Sequence, residues 1–392
     1  MLKLLTTFLY LNSISDNYLN PEVSLKRNLF NNYTYNSRPV ILYNESVYVR
    51  FNLKINSLEY FDQINEKIKL NMEVNFIWKD QYLNWDSYKN NIKYINLYDE
   101  KIWKPDLELY NSASFPKKWS EKDSTQLFSD GRVIWNLPIL YSFSCPLQLK
   151  DFPFDTQTCT MTFGSWKQSK DFLDIKLGYF ENNSNYDLVD YSDYSHNEWD
   201  IIKVNYTMED VEYLCCPDEL WTINTINIKL IRKYHKYMIV IKMTIFLTIS
   251  SFVVLCFDMN NYRRTYVLVF IPLSIIWLQL YISSKIPVIE YSTRMEKFIL
   301  TCYYVSTICS FESGLIYNFL NSHTPNFITS NFKKKKKSIN SDDLFNIWIL
   351  DNGSTKNIDY PSVKKFIFKF DILFKNFLIL LFLIIIITIF FD

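Results

Sequence analysis

Hydrophobic and polar positions divide this chain near residue 237. Upstream, apolar and polar residues alternate in short stretches such as Val47-Tyr48-Val49-Arg50-Phe51-Asn52-Leu53, the two-residue period of a strand with one buried face. Downstream, long apolar runs replace the alternation. YMIVIKMTIFLTISSFVVLCF (237–257), TYVLVFIPLSIIWLQLYIS (265–283) and FILTCYYVSTICSFESGLIYNFL (298–320) are each about long enough for a helix to cross a hydrocarbon layer of ~30 Å. A fourth run ends in FLILLFLIIIITIFF (377–391). The pattern predicts a strand-rich domain over 16–236, three membrane helices within 237–320, a connecting segment over 321–375 and a last membrane helix over 376–391.

Charge orients these segments. Arg263 and Arg264 lie between the first and second runs, and Lys333 to Lys337 between the third and fourth, so both connections read as cytoplasmic. Residues 16–236 then lie outside. The first fifteen residues, MLKLLTTFLYLNSIS, carry Lys3, an apolar stretch from Leu4 to Leu11 and small residues at Ser13 and Ser15, the layout of a secretory signal peptide over 1–15. Sequons at Asn32, Asn44, Asn182 and Asn205 fit an external face.

Composition removes several classes of function. A formal charge of +1 gives no basis for bulk nucleic-acid binding. The five glycines are far apart, so neither a phosphate-cradling loop nor a dinucleotide fingerprint can be written. No cysteine or carboxylate stands at metal-ligand spacing from His196, His235 or His323, and no motif places a histidine, serine and carboxylate set. The chain is therefore not expected to be an enzyme, and neither a metal nor an organic cofactor is expected.

The cysteines carry more information. Cys145, Cys159, Cys215 and Cys216 fall outside, whereas Cys256, Cys302 and Cys309 fall in membrane segments. Four external thiols allow three pairings, and spacing favours Cys145 with Cys159 and Cys215 with Cys216. Closing the first loop would contribute about 3 kcal/mol in the chain-entropy model. A bridge between neighbours staples nothing distant, so the second pair asks for another purpose.

CPLQLKDFPFDTQTC, with Phe152-Pro153-Phe154-Asp155 between its cysteines, resembles the signature loop of the Cys-loop pentameric ligand-gated ion channels. The resemblance extends through Trp78-x-Asp80-x-x-Leu83-x-Trp85, IWKPDLELYN from Ile102, FGSW ending at Trp166, the adjacent cysteines and the four apolar runs. Adjacent cysteines at the tip of a capping loop are what agonist-binding, alpha-type nicotinic acetylcholine receptor subunits of that family use. The fold implied is an extracellular all-β, immunoglobulin-like sandwich with a short N-terminal helix, then a four-helix transmembrane bundle, in a homo- or heteropentamer.

The resemblance also implies a site. A quaternary ammonium cannot donate a hydrogen bond, so aromatic faces hold it, each offering about 0.5 to 2 kcal/mol. Tyr110, Trp166, Tyr213 and Trp221, with Cys215 and Cys216, would form the principal face, and Trp78 would belong to the complementary face offered to a neighbour. Trp221 stands where the family usually has tyrosine. Coupling to the membrane would run through Phe152 to Asp155, Asp62 to Asn65 and Arg232, meeting Pro287 to Lys297.

The channel-lining run departs most from the family. Leu273 matches the central hydrophobic gate, but Tyr266, Phe270, Trp277 and Tyr281 fall on the lining face where small or modest residues are common, and Pro272 interrupts the helix. Arg263 and Arg264 stand where cation channels place an acidic ring before a basic residue. Lys242 and Glu312, ionisable groups in membrane runs, are expected to pair with each other. The resulting expectation is an agonist-binding subunit of an acetylcholine-gated cation channel in a postsynaptic plasma membrane, contacting lipid and other channel subunits. Two further readings stand beside it: an anion-selective member, and an accessory, non-conducting binding or assembly subunit.

Overall fold

A computed structural model of the protein describes residues 20–98, 101–118, 124–179, 188–259, 261–322 and 360–391. The expected signal peptide, Asn182 and the lysine run at 333–337 lie outside the described residues. The chain forms two units, one of residues up to 148 with 154–233 and one of 149–153 with 234 onward.

In the first unit, helix α1 (Pro21–Phe30) starts at Asn20, whose side chain accepts from the Glu22 amide, with proline in the first turn. Strands β1 (Val47–Asp62) and β2 (Lys67–Lys79) follow, then a single helical turn α2 (Ser87–Asn90) and short strands β3 (Tyr94–Leu97), β4 (Glu108–Leu109), β5 (Lys117–Lys118) and β6 (Ser124–Phe128). The remainder is β7 (Arg132–Ser144), β8 (Thr156–Gly164), β9 (Leu173–Leu177), β10 (Val189–Asp190), β11 (Trp199–Tyr213) and β12 (Cys216–Arg232). One sheet runs β10-β1-β2-β7-β6-β3, with β5 on β7 and β9 on β1, and the other runs β11-β12-β8-β4. The first sheet is mixed, because β9 and β10 pair with β1 in parallel.

The sandwich follows from the alternation read in the sequence. Val49, Phe51, Leu53 and Ile55 of β1 are buried, as are Ile68, Leu70, Met72, Val74, Phe76 and Trp78 of β2, and the register places Phe51 opposite Phe76 and Leu53 opposite Val74. Cys159, Met161 and Phe163 of β8 and Ile226, Ile228 and Leu230 of β12 supply the buried face of the second sheet. Shifting any of these strands by one residue would turn its apolar set outward, so burial fixes register. Cys145 and Cys159 are bonded, with a Cα separation of 4.9 Å, as spacing suggested.

In the second unit, α3 (His235–Leu255), α4 (Tyr262–Ser283), α5 (Arg294–Ser322) and α6 (Tyr360–Phe391) are long and apolar enough to cross a membrane. The helix α6 begins at Tyr360 rather than 376, because Asp371 and Lys375, which end the apolar run in sequence, pair four residues apart on the helix and are accommodated within it. Helix α4 continues through Pro272. The expected Lys242–Glu312 pair does not form: Lys242 is exposed on α3, and Glu312 is bonded to Arg264 at 3.1 Å. Residues 149–153 pack within this unit. The Arg294 amide donates to the Lys150 carbonyl at 2.9 Å, the Met295 amide to the Phe152 carbonyl at 3.2 Å, and Arg294 pairs with Asp151 at 2.8 Å.

Candidate ligand-binding site

Four of the aromatic rings expected at the site form two edge-to-face pairs. Tyr110, just after β4, meets Trp166, just after β8, with centroids 5.8 Å apart and planes at 80°. Tyr213, ending β11, meets Trp221 of β12 at 6.2 Å and 70°. Such edge contacts leave ring faces free for another partner. Trp166 is 71% exposed and Tyr213 37%, so both offer surface to a ligand.

Hydrogen bonds hold the first pair in place. The Tyr110 amide donates to the Thr162 carbonyl at 2.8 Å, and its hydroxyl donates to the Ser165 carbonyl at 2.6 Å, drawing the ring across Gly164. A Cβ at Gly164 would lie 2.5 Å from the Tyr110 hydroxyl, so this position has room only for glycine. Burial, followed by the neighbouring Tyr213 and Asp106, pushes the Tyr110 phenol up to about 12, and it stays protonated at neutral pH. Asp106 accepts from Ser165 Oγ at 3.0 Å and from the Lys167 amide at 2.8 Å, which fixes the turn that presents Trp166. A cavity of about 310 Å³ opens here, lined by Asp106, Glu108, Leu109, Tyr110, Trp166 and Lys167. Its two carboxylates and exposed aromatic surface suit an organic cation.

The second pair sits on the hairpin of β11 and β12. Cys216 pairs with Tyr213 across its tip, and a bulge separates Glu212 from Tyr213. The bridge expected between Cys215 and Cys216 is not formed in this structure: their sulfurs lie in contact, 3.0 Å apart and unbonded. The hairpin is fastened to the Trp166 turn farther down. The Lys170 ammonium pairs with Asp210, Thr222 Oγ1 donates to Asp210 at 2.9 Å, and the Lys170 amide donates to the Leu220 carbonyl at 2.8 Å. The Lys170 bond holds the Asp210 carboxyl below the usual carboxylate range. Sequence reading missed these residues. Asp106, Gly164 and Ser165 lay inside the quoted motifs, whereas Lys170 and Asp210 meet across 40 positions and leave no local signal.

Trp78 does not belong to this or any exposed surface. It is 0% exposed, with its ring edge-on to Trp103 at 5.7 Å. Alternation along β2 assigns Trp78 to the core face, while Asn71, Glu73, Asn75 and Ile77 occupy the outer one. The expected complementary-face role is therefore corrected: Trp78 is a core residue.

Elsewhere the expected positions separate by environment. Arg232 is buried, paired with Asp155 at 2.7 Å, bonded to Gln63 at 3.0 Å and stacked over Trp199 at 4.2 Å, so it is built into the sandwich and does not act as flanking charge. On α4, Tyr266, Phe270, Leu273, Trp277 and Tyr281 form one exposed stripe at helical spacing, and Arg263 lies on the same side. Arg264 begins the opposite, buried stripe of Leu268, Ile271, Ile275 and Ile282. The expectation that both arginines line a channel is corrected, since Arg264 faces α5 and α6. Asn32, Asn44 and Asn205 are exposed.

Comparison with known proteins places these features. A family model described as the neurotransmitter-gated ion-channel ligand binding domain matches residues 22–234. The human neuronal acetylcholine receptor subunit alpha-6 is 33% identical over 202 residues, 51% of this chain and 40% of that protein. The alpha-3 subunit of Carassius auratus is 34% identical over 198 residues (50% and 38%), and the human alpha-4 subunit 36% over 199 residues (50% and 31%). The match thus spans two-fifths or less of the length of these relatives.

Proposed function

Because this chain belongs to the neurotransmitter-gated ion-channel family, we propose that it is the agonist-binding subunit of a channel gated by acetylcholine or a similar quaternary ammonium. The observation that carries this reading is the edge-to-face pair of Tyr110 and Trp166 lining a cavity that also holds the Asp106 and Glu108 carboxylates, with a second such pair, Tyr213 and Trp221, on the β11–β12 hairpin. A cation without a hydrogen-bond donor gains from ring faces and nearby carboxylates and from little else. The three relatives compared are acetylcholine receptor subunits by name, which favours the same agonist class. In the oxidising exterior Cys215 and Cys216 close to a vicinal disulfide that stiffens the hairpin over bound agonist.

The chain supplies the principal face, and a neighbouring subunit in a pentamer supplies the complementary one, since β2 offers no aromatic there with Trp78 in the core. Agonist held between subunits favours the open form by binding it more tightly than the closed form. Four helices cross a plasma membrane, postsynaptic in setting, with the sandwich outside and glycans on Asn32, Asn44 and Asn205. Partners provide the acidic rings that make the pore cation-selective.

The exposed position of Arg263 favours an anion-passing pore as the second reading, because a positive ring at close range repels cations. The bulk of Tyr266, Phe270, Trp277 and Tyr281 favours an accessory subunit that conducts little. Voltage clamp of cells expressing the chain with nicotinic partner subunits, with ion replacement, separates all three. A reversal potential that follows sodium supports the cation channel, one that follows chloride supports the anion channel, and surface assembly without any effect on agonist current supports the accessory subunit.

A further inference from the structure

Among the described residues, the helical unit holds a cluster of four charges, three of them buried, that ligand binding does not use. Arg264 of α4 donates to Glu312 of α5 at 3.1 Å and to Asp371 of α6 at 2.9 Å, and Lys375 closes onto the other oxygen of Asp371. The Arg264, Glu312 and Asp371 side chains are 1%, 6% and 2% exposed. Two cations and two anions balance, which is the condition for holding charge away from water. Helix α6 packs chiefly on α5 and less on α3, and the Arg264 side chain provides a polar link from α6 to α4. Phe366, Leu373, Phe377, Leu380 and Leu383 leave much of α6 exposed to its surroundings.

We propose that Arg264 is a positioning residue of the channel-lining helix: clasped by Glu312 and Asp371, it fixes the rotation of α4 and makes that rotation depend on the docking of α6, an inference that rests on the channel reading above. The geometry supplies the reason. Arg264 and the exposed stripe lie on opposite sides of one helix, so tethering the arginine aims Phe270, Leu273 and Trp277 away from α5 and α6. Neighbouring Arg263, one position earlier, is thereby left on the exposed side. If the tether is released, α4 can turn while remaining helical and inserted. The clasp acts through placement of other side chains and touches no agonist.

The test is a double-mutant cycle in the full chain, co-expressed with nicotinic partner subunits and read as half-maximal agonist concentration at matched surface level. Arg264→Gln and Asp371→Asn are each expected to shift that concentration about fivefold or more, the lower end of ordinary coupling between sites. The double variant is expected to shift it no further than either single one, because both remove the same link. Shifts that multiply, or single variants that lower surface level while leaving the agonist curve unchanged, overturn the proposal. Should the single variants not reach the surface, Lys375→Gln at the cluster's rim is expected to shift the curve in the same sense by about twofold, the smaller share expected of a partly exposed charge, and no shift overturns it. Trp166→Ala in the same cells separates the two claims: if it alone moves the agonist curve, the binding site stands and the clasp fails.

Discussion

Arg232 and Asp155 meet as a two-pronged ion pair, Nε to Oδ1 at 2.7 Å and Nη2 to Oδ2 at 3.0 Å, with both side chains 1% exposed. Breaking a buried pair from one side strands the other charge and costs about 3 to 5 kcal/mol. Arg232→Gln is therefore expected to lower the unfolding temperature of the purified full chain and the fraction reaching the surface. Arg232→Lys should recover only part, since an ammonium cannot reproduce the fork. Unchanged thermal unfolding of both variants would show that the pair carries no stability.

Trp78→Ala should behave as a core deletion. Its ring is fully buried against Trp103, and removing a buried large aromatic costs about 3 to 5 kcal/mol. Trp78→Phe should retain most of the stability and leave the agonist curve in place at matched surface level. A pure change in agonist potency without a change in stability would return Trp78 to the binding site.

Cys215 and Cys216 lie at the hairpin tip with sulfurs in contact. On intact cells, a membrane-impermeant maleimide is expected to label them only after reduction, and the Cys215→Ser, Cys216→Ser double variant should lose that labelling. Reduction should weaken agonist binding several-fold by loosening the cap. Full labelling of the untreated chain would mean that the pair remains as thiols.

The two arginines at the start of α4 should separate functionally. Arg263 is exposed and Arg264 is clasped, so Arg263→Gln is expected to alter the relative permeability of anions and cations, measured as a reversal-potential shift on ion replacement. Arg264→Gln, which frees α4 to turn, is expected to shift the half-maximal agonist concentration, whereas Arg263→Gln should leave that concentration in place.

Much of this was legible in the sequence because it rests on local periodicity. The alternation around Phe51 gave a buried strand face, the spacing of Cys145 and Cys159 gave their bond, and the apolar runs gave four helices. What failed had a common cause. A motif match names a residue without giving its face: the motif points Trp78 to a surface, and the parity of β2 turns it inward. Charges were equally ambiguous. Nothing local in the sequence distinguishes Lys242 from Arg264, 48 positions from Glu312, as the partner of that carboxylate. Lys375 and Asn376 bound the last apolar run in sequence, yet Lys375 pairs with Asp371 one turn away and the helix α6 extends back to Tyr360. Long-range polar pairs such as Lys170 with Asp210 lie beyond any period.

The central claim is that Trp166, edge-on to Tyr110 and 71% exposed, presents its face to the agonist. A concentration series of acetylcholine under voltage clamp, on cells co-expressing the full chain with nicotinic partners at matched surface level, tests it most directly. Loss of a desolvated cation–π contact worth about 2 kcal/mol predicts that Trp166→Ala moves the half-maximal concentration upward about thirtyfold, with Trp166→Phe falling between. Superimposable curves for the parent chain and Trp166→Ala, in a demonstrated joint assembly, would contradict it.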